Sequence, residues 1–171
     1  MGFFVLLTYI LVIGNITHSF DLENPDSYFK SPWWVGITQE NAIMITVFQG
    51  IAAISLVYWI WWVYSHNFKE GPFCNQNIKN IVVYTFLLAS LLWPFLAYPA
   101  LKEYPKKTST EKAILACIPL WISAIAMICG LAFTFESRAP ILPTLSIVMA
   151  SIVVVLFDGI GWSASLIYHN K

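Results

Sequence analysis

The sequence has few charged residues. Asp, Glu, Lys and Arg together make up 11% of the 171 residues, whereas a soluble domain usually carries about 25%. So few charges could not cover a folded core with a surface that water solvates. Hydrophobic residues make up 58% of the chain, and the sequence therefore predicts an integral membrane protein that is surrounded by lipid. The formal net charge is zero, so we expect no basic surface that would bind nucleic acid.

Cysteine is also scarce. The three cysteines, Cys74, Cys117 and Cys129, form no Cys-x-x-Cys pair. Cys117 and Cys129 lie in apolar segments, where a cysteine usually behaves as a small hydrophobic side chain. The three histidines lie near the ends of the apolar segments, which argues against a haem held at mid-membrane. We therefore expect no disulfide framework, no metal site and no required cofactor.

The familiar catalytic motifs are missing from the sequence. The chain contains no nucleophile elbow, P-loop, HExxH pair or dinucleotide-binding fingerprint. It also lacks the arginine ladder of a voltage sensor and a filter-like loop. These absences favour a protein without enzymatic activity and leave catalysis as the less favoured alternative.

Long apolar runs are what the sequence does contain. A helix needs about 20 mostly apolar residues to cross a membrane, and backbone groups cannot stay unpaired in lipid. Four segments meet this requirement, at residues 41–65, 78–101, 111–135 and 142–168. We predict each of them as a transmembrane helix.

The apolar segment at the N-terminus has two interpretations. The run at residues 3–20 is short, and it is either a signal peptide or a first transmembrane helix. A signal peptide usually begins with a positive charge, which is missing here, so we prefer the helix. The predicted fold is then all-α, a single membrane bundle of five helices over residues 1–171. Residues 21–40 form the first loop, which could act as a lid.

The distribution of Lys and Arg predicts the orientation in the membrane. Cytoplasmic loops usually carry the excess of positive side chains. With five helices, six basic residues lie on one side and three on the other, so we expect a cytoplasmic C-terminus. The six are Lys30, Lys102, Lys106, Lys107, Lys112 and Lys171, and the three are Lys69, Lys79 and Arg138.

Asp158 is the one acidic residue deep inside an apolar segment. It lies about 15 Å from the end of the last segment, and a carboxylate at such depth costs at least ~2.5 kcal/mol on insertion scales. One interpretation is a proton or cation relay, or a polar anchor in a cavity. The other is a protonated carboxyl that is hydrogen-bonded to a neighbouring helix, and the sequence slightly favours this structural role.

Other polar and small residues in the segments suggest helix packing. Gln49, beside Gly50, can bond across to a neighbouring helix, which we favour over contact with a ligand. Small residues at helical spacing let helices approach closely, and a homodimer could also form through such a face. These residues are Ser123, Ala126 and Gly130 in one segment, and Gly161 and Ser165 in the last.

The most aromatic stretch is YWIWWVYS at residues 58–65. On a helix its rings point around most of the circumference, with Trp59 about 100° from Tyr58. A pocket wall needs one face, whereas an aromatic belt at the headgroup level uses several. We therefore interpret this stretch as an interfacial anchor and place the candidate binding residues elsewhere.

Several motifs in order along the chain resemble a known family. The loop at residues 24–36 reads NPDSYFKSPWWVG, a later segment holds Trp93-Pro94-Phe95, and the chain ends in DGIGWSASLIYHNK. Together with Leu120-Trp121, these resemble the tryptophan-rich sensory proteins, the family of the translocator protein. The chain departs from the family pattern at several points: Val35-Gly36 stand where the family has a Pro pair, the second helix lacks its Trp, the third lacks its Asn, and Asp158-Gly159 stand where the family has Pro-Tyr.

The resemblance implies a five-helix bundle, often dimeric, that binds a flat apolar ligand such as a porphyrin or sterol in a cavity closed by the first loop. Carried over to this chain, the cavity would be lined by Pro32, Trp33, Trp34, Trp93, Phe95, Trp121 and Trp162, with Asp158 changing its polarity. The pattern Leu166, Tyr168 and Lys171 matches one proposed for cholesterol contact, although a Tyr and a Lys at a helix end also suit snorkelling.

Three functions follow from these features. The first is a ligand-binding membrane protein of the translocator type. The second is a structural or assembly subunit of a larger membrane complex, with tryptophans that face lipid and partners. The third is a small channel or proton-coupled transporter built around Asp158. The sequence ranks them in that order, with the first only slightly ahead.

Overall fold

The computed structural model describes residues 37–68, 71–102 and 106–169. These residues form helices and the turns that connect them, and four helices are long and apolar enough to cross a membrane. The protein is thus an integral membrane protein with an all-helical described part. The predicted helix at residues 3–20 and nearly all of the predicted loop at residues 21–40 lie outside the described residues.

The four spanning segments begin and end close to the predicted positions. We number the helices α1 (Gln39–Ser65), α2 (Gln76–Leu101), α3 (Thr110–Glu136), α4 (Ile141–Ser151) and α5 (Ser163–His169). The ends of α1, α2 and α3 lie within two residues of the prediction, because the apolar length required to span lipid sets them. The predicted loop at 21–40 ends slightly earlier than expected, since α1 already starts at Gln39.

Capping side chains start the first three helices. Each capping oxygen accepts the backbone N–H three residues later, which satisfies one of the donors that a helix start leaves unpaired. The capping residues are Thr38, Asn75 and Ser109.

The last spanning segment contains an unusual π-helical stretch. Residues Ile152–Trp162 form a π-helix between α4 and α5, and the three elements together make the C-terminal span, Ile141–Tyr168. π-Helical turns are rare and are frequent at functional sites. The sequence did not predict this stretch, which contains Asp158.

A tight turn connects α3 to the C-terminal span. Arg138 has φ 52°, a left-handed conformation, and the N–H groups of Arg138 and Ala139 donate to the carbonyls of Phe135 and Thr134. This pattern satisfies the last carbonyls of α3 and reverses the chain. As a result, α4 starts at Ile141 and runs back against α3.

Helix α3 lies at the centre of the bundle. It packs against α2 on one side and against the C-terminal span on the other, and α1 packs mainly against the C-terminal span. Two buried clusters result, one at each end. The Trp93 cluster includes Trp93, Ala97, Ala116, Leu120 and Trp162, and the Trp59 cluster includes Trp59, Trp62, Val83, Phe133 and Ile147.

The aromatic stretch at residues 58–65 is divided between core and exterior. Trp59 and Trp62 are buried in the Trp59 cluster, whereas Trp61 is 59% exposed and Tyr64 is 43% exposed. The interpretation of the stretch as an interfacial anchor is therefore wrong for Trp59 and Trp62. The reason is tertiary: these two residues, three positions apart, share the face of α1 that contacts the other helices.

Candidate functional site

Asp158 forms a hydrogen bond to the neighbouring helix α1. The Nε2 of Gln49 donates to Oδ1 of Asp158 at 3.1 Å. Gln49 lies ten residues after the start of α1, and Asp158 lies eleven residues before the end of α5. At 1.5 Å per residue both lie about 15 Å inside the same end of the bundle. The carboxyl is thus within the apolar part of the bundle, as its position in the sequence predicts.

No basic side chain compensates the Asp158 carboxyl within the described part of the chain. There, Gln49 is the one side chain that bonds to the carboxyl, and no Lys, Arg or His nitrogen lies within ion-pair distance. A charge that is removed from water and left without an opposite charge is strongly unfavourable. The carboxyl therefore needs a proton, a bound cation or water to neutralise or solvate it.

A small cavity lies next to the carboxyl. It is lined by Gln49 and Asp158, by Trp93 and Trp162, and by the apolar residues Ile37, Ile45, Leu120 and Phe157. Its volume is about 20 Å³, which is room for about one water molecule. The cavity is much smaller than a tetrapyrrole or a sterol, which occupy pockets of about 300 Å³ or more.

Two of the predicted tryptophans meet at this cavity. The rings of Trp93 and Trp162 contact each other edge to face, with centroids 5.3 Å apart and planes at 82°. Edge-to-face contact is a favoured geometry for aromatic pairs. Both rings are buried and line the cavity together with the two polar side chains.

The other predicted site residues lie elsewhere. Phe95 is 54% exposed on the outside of α2, and Trp121 is 39% exposed on the outside of α3. Neither lines the cavity at Asp158. Leu166 is buried in the Trp93 cluster and Tyr168 is exposed, so these two do not form one contact surface. Pro32, Trp33, Trp34 and Lys171 lie outside the described residues.

Trp121 instead holds the π-helical stretch against α3. Its Nε1 donates to the carbonyl of Gly159 at 3.0 Å. A Cβ on Gly159 would lie 3.2 Å from the Cβ of Ala124, so the glycine permits the close approach of the two helices. The hydroxyl of Ser163 donates to the carbonyl of Asp158 at 3.4 Å. Hydrogen bonds from α3 and α5 thus position the backbone that carries the carboxyl.

Several cavity residues could not be identified from the sequence. Ile37, Ile45, Leu120 and Phe157 line the cavity, but apolar residues of this kind occur throughout the chain. Gln49 was visible as a polar residue in an apolar segment, and its expected bond to a neighbouring helix is present. Its partner, 109 positions away, could be found only in the folded chain.

The small-residue faces have different places in the bundle. Ser123, Ala126 and Gly130 are buried between helices, whereas Gly161 is exposed. Within the described residues, the small-residue face at Gly161 is therefore exposed and could contact a second copy, whereas the face at Ser123, Ala126 and Gly130 is already covered.

The chain matches no protein-family model, no curated protein sequence and no solved structure. The functional conclusion therefore depends on the geometry of the site.

Proposed function

We propose that this integral membrane protein binds and transfers a proton or a small cation at Asp158. The observation that supports this proposal is the combination of one carboxyl, one amide donor and a cavity of one water molecule inside the apolar bundle. A single proton or a small cation is of the size that this cavity admits. Intramembrane carboxyls commonly take part in proton relays and ion pathways.

The hydrogen bond from Gln49 is compatible with a carboxyl that binds and releases a proton or a cation. An amide N–H can donate to Asp158 whether the carboxyl carries a proton or a cation, because each carboxyl oxygen has two lone pairs. The carboxyl therefore stays in place while its bound proton or cation leaves. The distribution of Lys and Arg supports a proposed orientation of the protein in the membrane, with the C-terminus in the cytoplasm.

Proton flux into proteoliposomes tests the proposal. The full chain would be reconstituted with a pH-sensitive dye inside, and a potassium diffusion potential would be applied. We expect flux above that of protein-free liposomes, and we expect Asp158→Asn to reduce it to the protein-free rate while the helical content stays unchanged. Glu111→Gln, which changes an exposed carboxylate in the first turn of α3, is the matched control and should keep full flux.

Two outcomes would contradict the proposal. Asp158→Asn with the flux of the unchanged chain would show that the carboxyl carries nothing. Flux no higher than in protein-free liposomes, for protons and for sodium or potassium, would remove the transport function. Co-purification of another membrane chain in that case would favour the alternative of an assembly subunit.

A second candidate function is binding of a flat apolar ligand of the porphyrin or sterol class. The observation that favours it is the pair of buried rings, Trp93 and Trp162, at the same cavity. Because the cavity has the volume of about one water, such a ligand requires the helices to separate around it. Titration of protoporphyrin should then quench tryptophan fluorescence, with lower affinity for Trp162→Ala and unchanged affinity for Trp61→Ala. Absence of saturable quenching would argue against this function.

A further inference from the structure

A second and larger pocket lies at the opposite end of the bundle. It has a volume of about 150 Å³ and lies at the turn between α1 and α2. Its polar lining includes His66, Asn67, Gln76 and Lys79, and its apolar wall includes Phe68 and Phe133. A water molecule needs about 10–15 Å³ of such volume, so the pocket has room for an anion the size of phosphate with its remaining waters. It has no part in the proposed function of Asp158.

Lys79 is the residue that gives this pocket a preference for anions. Its side chain is only 7% exposed, although it carries an ammonium group. Its Nζ lies 4.8 Å from the centroid of the Tyr64 ring, and the hydroxyl of Tyr64 donates to Asn80 at 3.0 Å, which holds the ring in place. Among the residues that the structure describes, no carboxylate pairs with Lys79 and no acceptor bonds to it. A mostly enclosed lysine whose ammonium has no counter-ion there favours an anion.

The start of α2 adds further donors on the same side. Lys79 and Gln76 both lie in the first turns of this 26-residue helix, where backbone N–H groups lack partners within the helix and the helix dipole is positive. The Oδ1 of Asn75 accepts the N–H of Ile78, at 2.9 Å. Anions are readily bound where such a helix start and a cationic side chain meet.

Among the described residues, two further ionisable groups near the pocket, Glu136 and Cys74, form no ion pair with Lys79. The carboxylate of Glu136, at the end of α3, accepts the N–H of Phe73 at 2.6 Å and does not line the pocket. The thiol of Cys74 is buried, and burial raises its pKa, with the Glu136 carboxylate acting in the same direction and Lys79 in the opposite one. Cys74 therefore stays neutral near pH 7 and provides no counter-ion for Lys79.

We propose that this pocket binds a phosphate-class anion, with Lys79 as its counter-ion. The pocket lies where α1 ends and α2 begins, which is the boundary between the spanning segments and water. At this depth both free phosphate and the phosphate of a lipid headgroup can reach it. The apolar wall of Phe68 and Phe133, whose rings are 5.3 Å apart, could also contact the glycerol part of a lipid.

Binding assays on the full chain in detergent and in nanodiscs test the proposal. The probes are inorganic phosphate, followed by thermal stabilisation, and phosphatidic acid in phosphatidylcholine nanodiscs, followed by native mass spectrometry. Saturable binding of phosphate alone would identify a soluble ligand, and binding of the lipid alone would identify a headgroup site. Saturable binding of neither probe would overturn the proposal.

Substitution of Lys79 distinguishes specific binding at this pocket from nonspecific attraction of anions to positive side chains. Because charge-assisted hydrogen bonds are the strong ones, we expect Lys79→Gln to lower the affinity about tenfold or more, and Lys79→Arg to keep most of it. Lys102→Gln is the matched control, because Lys102 also lies near a tyrosine ring, that of Tyr98 at 5.8 Å, but is exposed and at the other end of the bundle. Equal affinity of Lys79→Gln and the unchanged chain, or equal losses for Lys79→Gln and Lys102→Gln, would overturn the proposal.

A second substitution keeps the test valid if Lys79→Gln fails to fold. Asn67 lines the pocket with an exposed side chain, so Asn67→Asp adds a negative charge there with almost no change of shape. We expect this variant to fold normally and to lose phosphate binding by like-charge repulsion. Unchanged binding by Asn67→Asp would also overturn the proposal.

Discussion

Tryptophan side chains have different surroundings at the two ends of the bundle. In the Trp59 cluster, Trp59 is 1% exposed and its Nε1 donates to Oγ1 of Thr134 at 2.8 Å. Thr134 in turn donates to the carbonyl of Gly130 at 2.8 Å, so the polar groups there are satisfied within the protein. In the Trp93 cluster, by contrast, the ring of Trp93 lines a cavity beside Asp158.

This difference shows that burial of a tryptophan does not by itself indicate a binding site. Trp59 fills its space completely, since a Cβ added to Gly130 would lie 3.3 Å from its ring. A side chain packed in this way contributes to stability. Trp93 and Trp162 leave room for a water beside a carboxyl, and the proposed function depends on that combination.

The largest expected effect comes from Trp59→Ala. Removal of a large buried aromatic side chain typically lowers the free energy of unfolding by about 3–5 kcal/mol. The matched control is Trp61→Ala, two residues further along α1 and 59% exposed, which should change stability by less than about 1 kcal/mol. Unfolding in mixed detergent micelles, followed by circular dichroism, measures both. Equal losses for the two variants would contradict the division of the aromatic stretch into core and exterior.

A smaller effect is expected at Gly130. The side chain of Gly130→Val would press on Trp59 and on Ile147, whose Cδ1 lies 3.4 Å from the added Cβ. Overpacking of this kind costs about 1–3 kcal/mol. Gly50→Val serves as the control, because nothing lies within 4 Å of a Cβ at Gly50. The same unfolding assay applies, and a stable Gly130→Val chain would mean that the Trp59 cluster is more loosely packed than the structure shows.

The smallest effect is expected at Gln49. Hydrogen bonds between membrane helices contribute about 0.6 kcal/mol on average and at most about 1.7. Gln49→Leu should lie near the average, because a water in the cavity can replace the lost donor to Asp158. Thr134→Val should lie near the maximum, since it leaves the Nε1 of Trp59 buried without an acceptor. A larger loss of stability for Gln49→Leu than for Thr134→Val would contradict the expectation that the hydrogen bond in the Trp59 cluster contributes more than the one at the cavity.

The candidate site was only partly predictable from the sequence. Asp158 could be identified because a carboxyl in a long apolar run is visible without a structure. The sequence could not separate Trp162, which lines the cavity, from Trp121 and Phe95, which lie outside it. In a soluble helix the polar face would show which residues point outward. In a membrane helix both faces are apolar, so that signal is lost.

The sequence by itself determined the class of this protein and the limits of its four described spanning segments. Low charge and long apolar runs require lipid and helices, and the length of each run sets where the helix ends, as in α1, Gln39–Ser65. Only the tertiary structure decided which residues meet. It joined Gln49 to Asp158, buried Trp59 beside Thr134 and enclosed Lys79. The physical reason is that contacts between distant helices depend on how their faces pack, and packing leaves no periodic signal in a uniformly apolar chain.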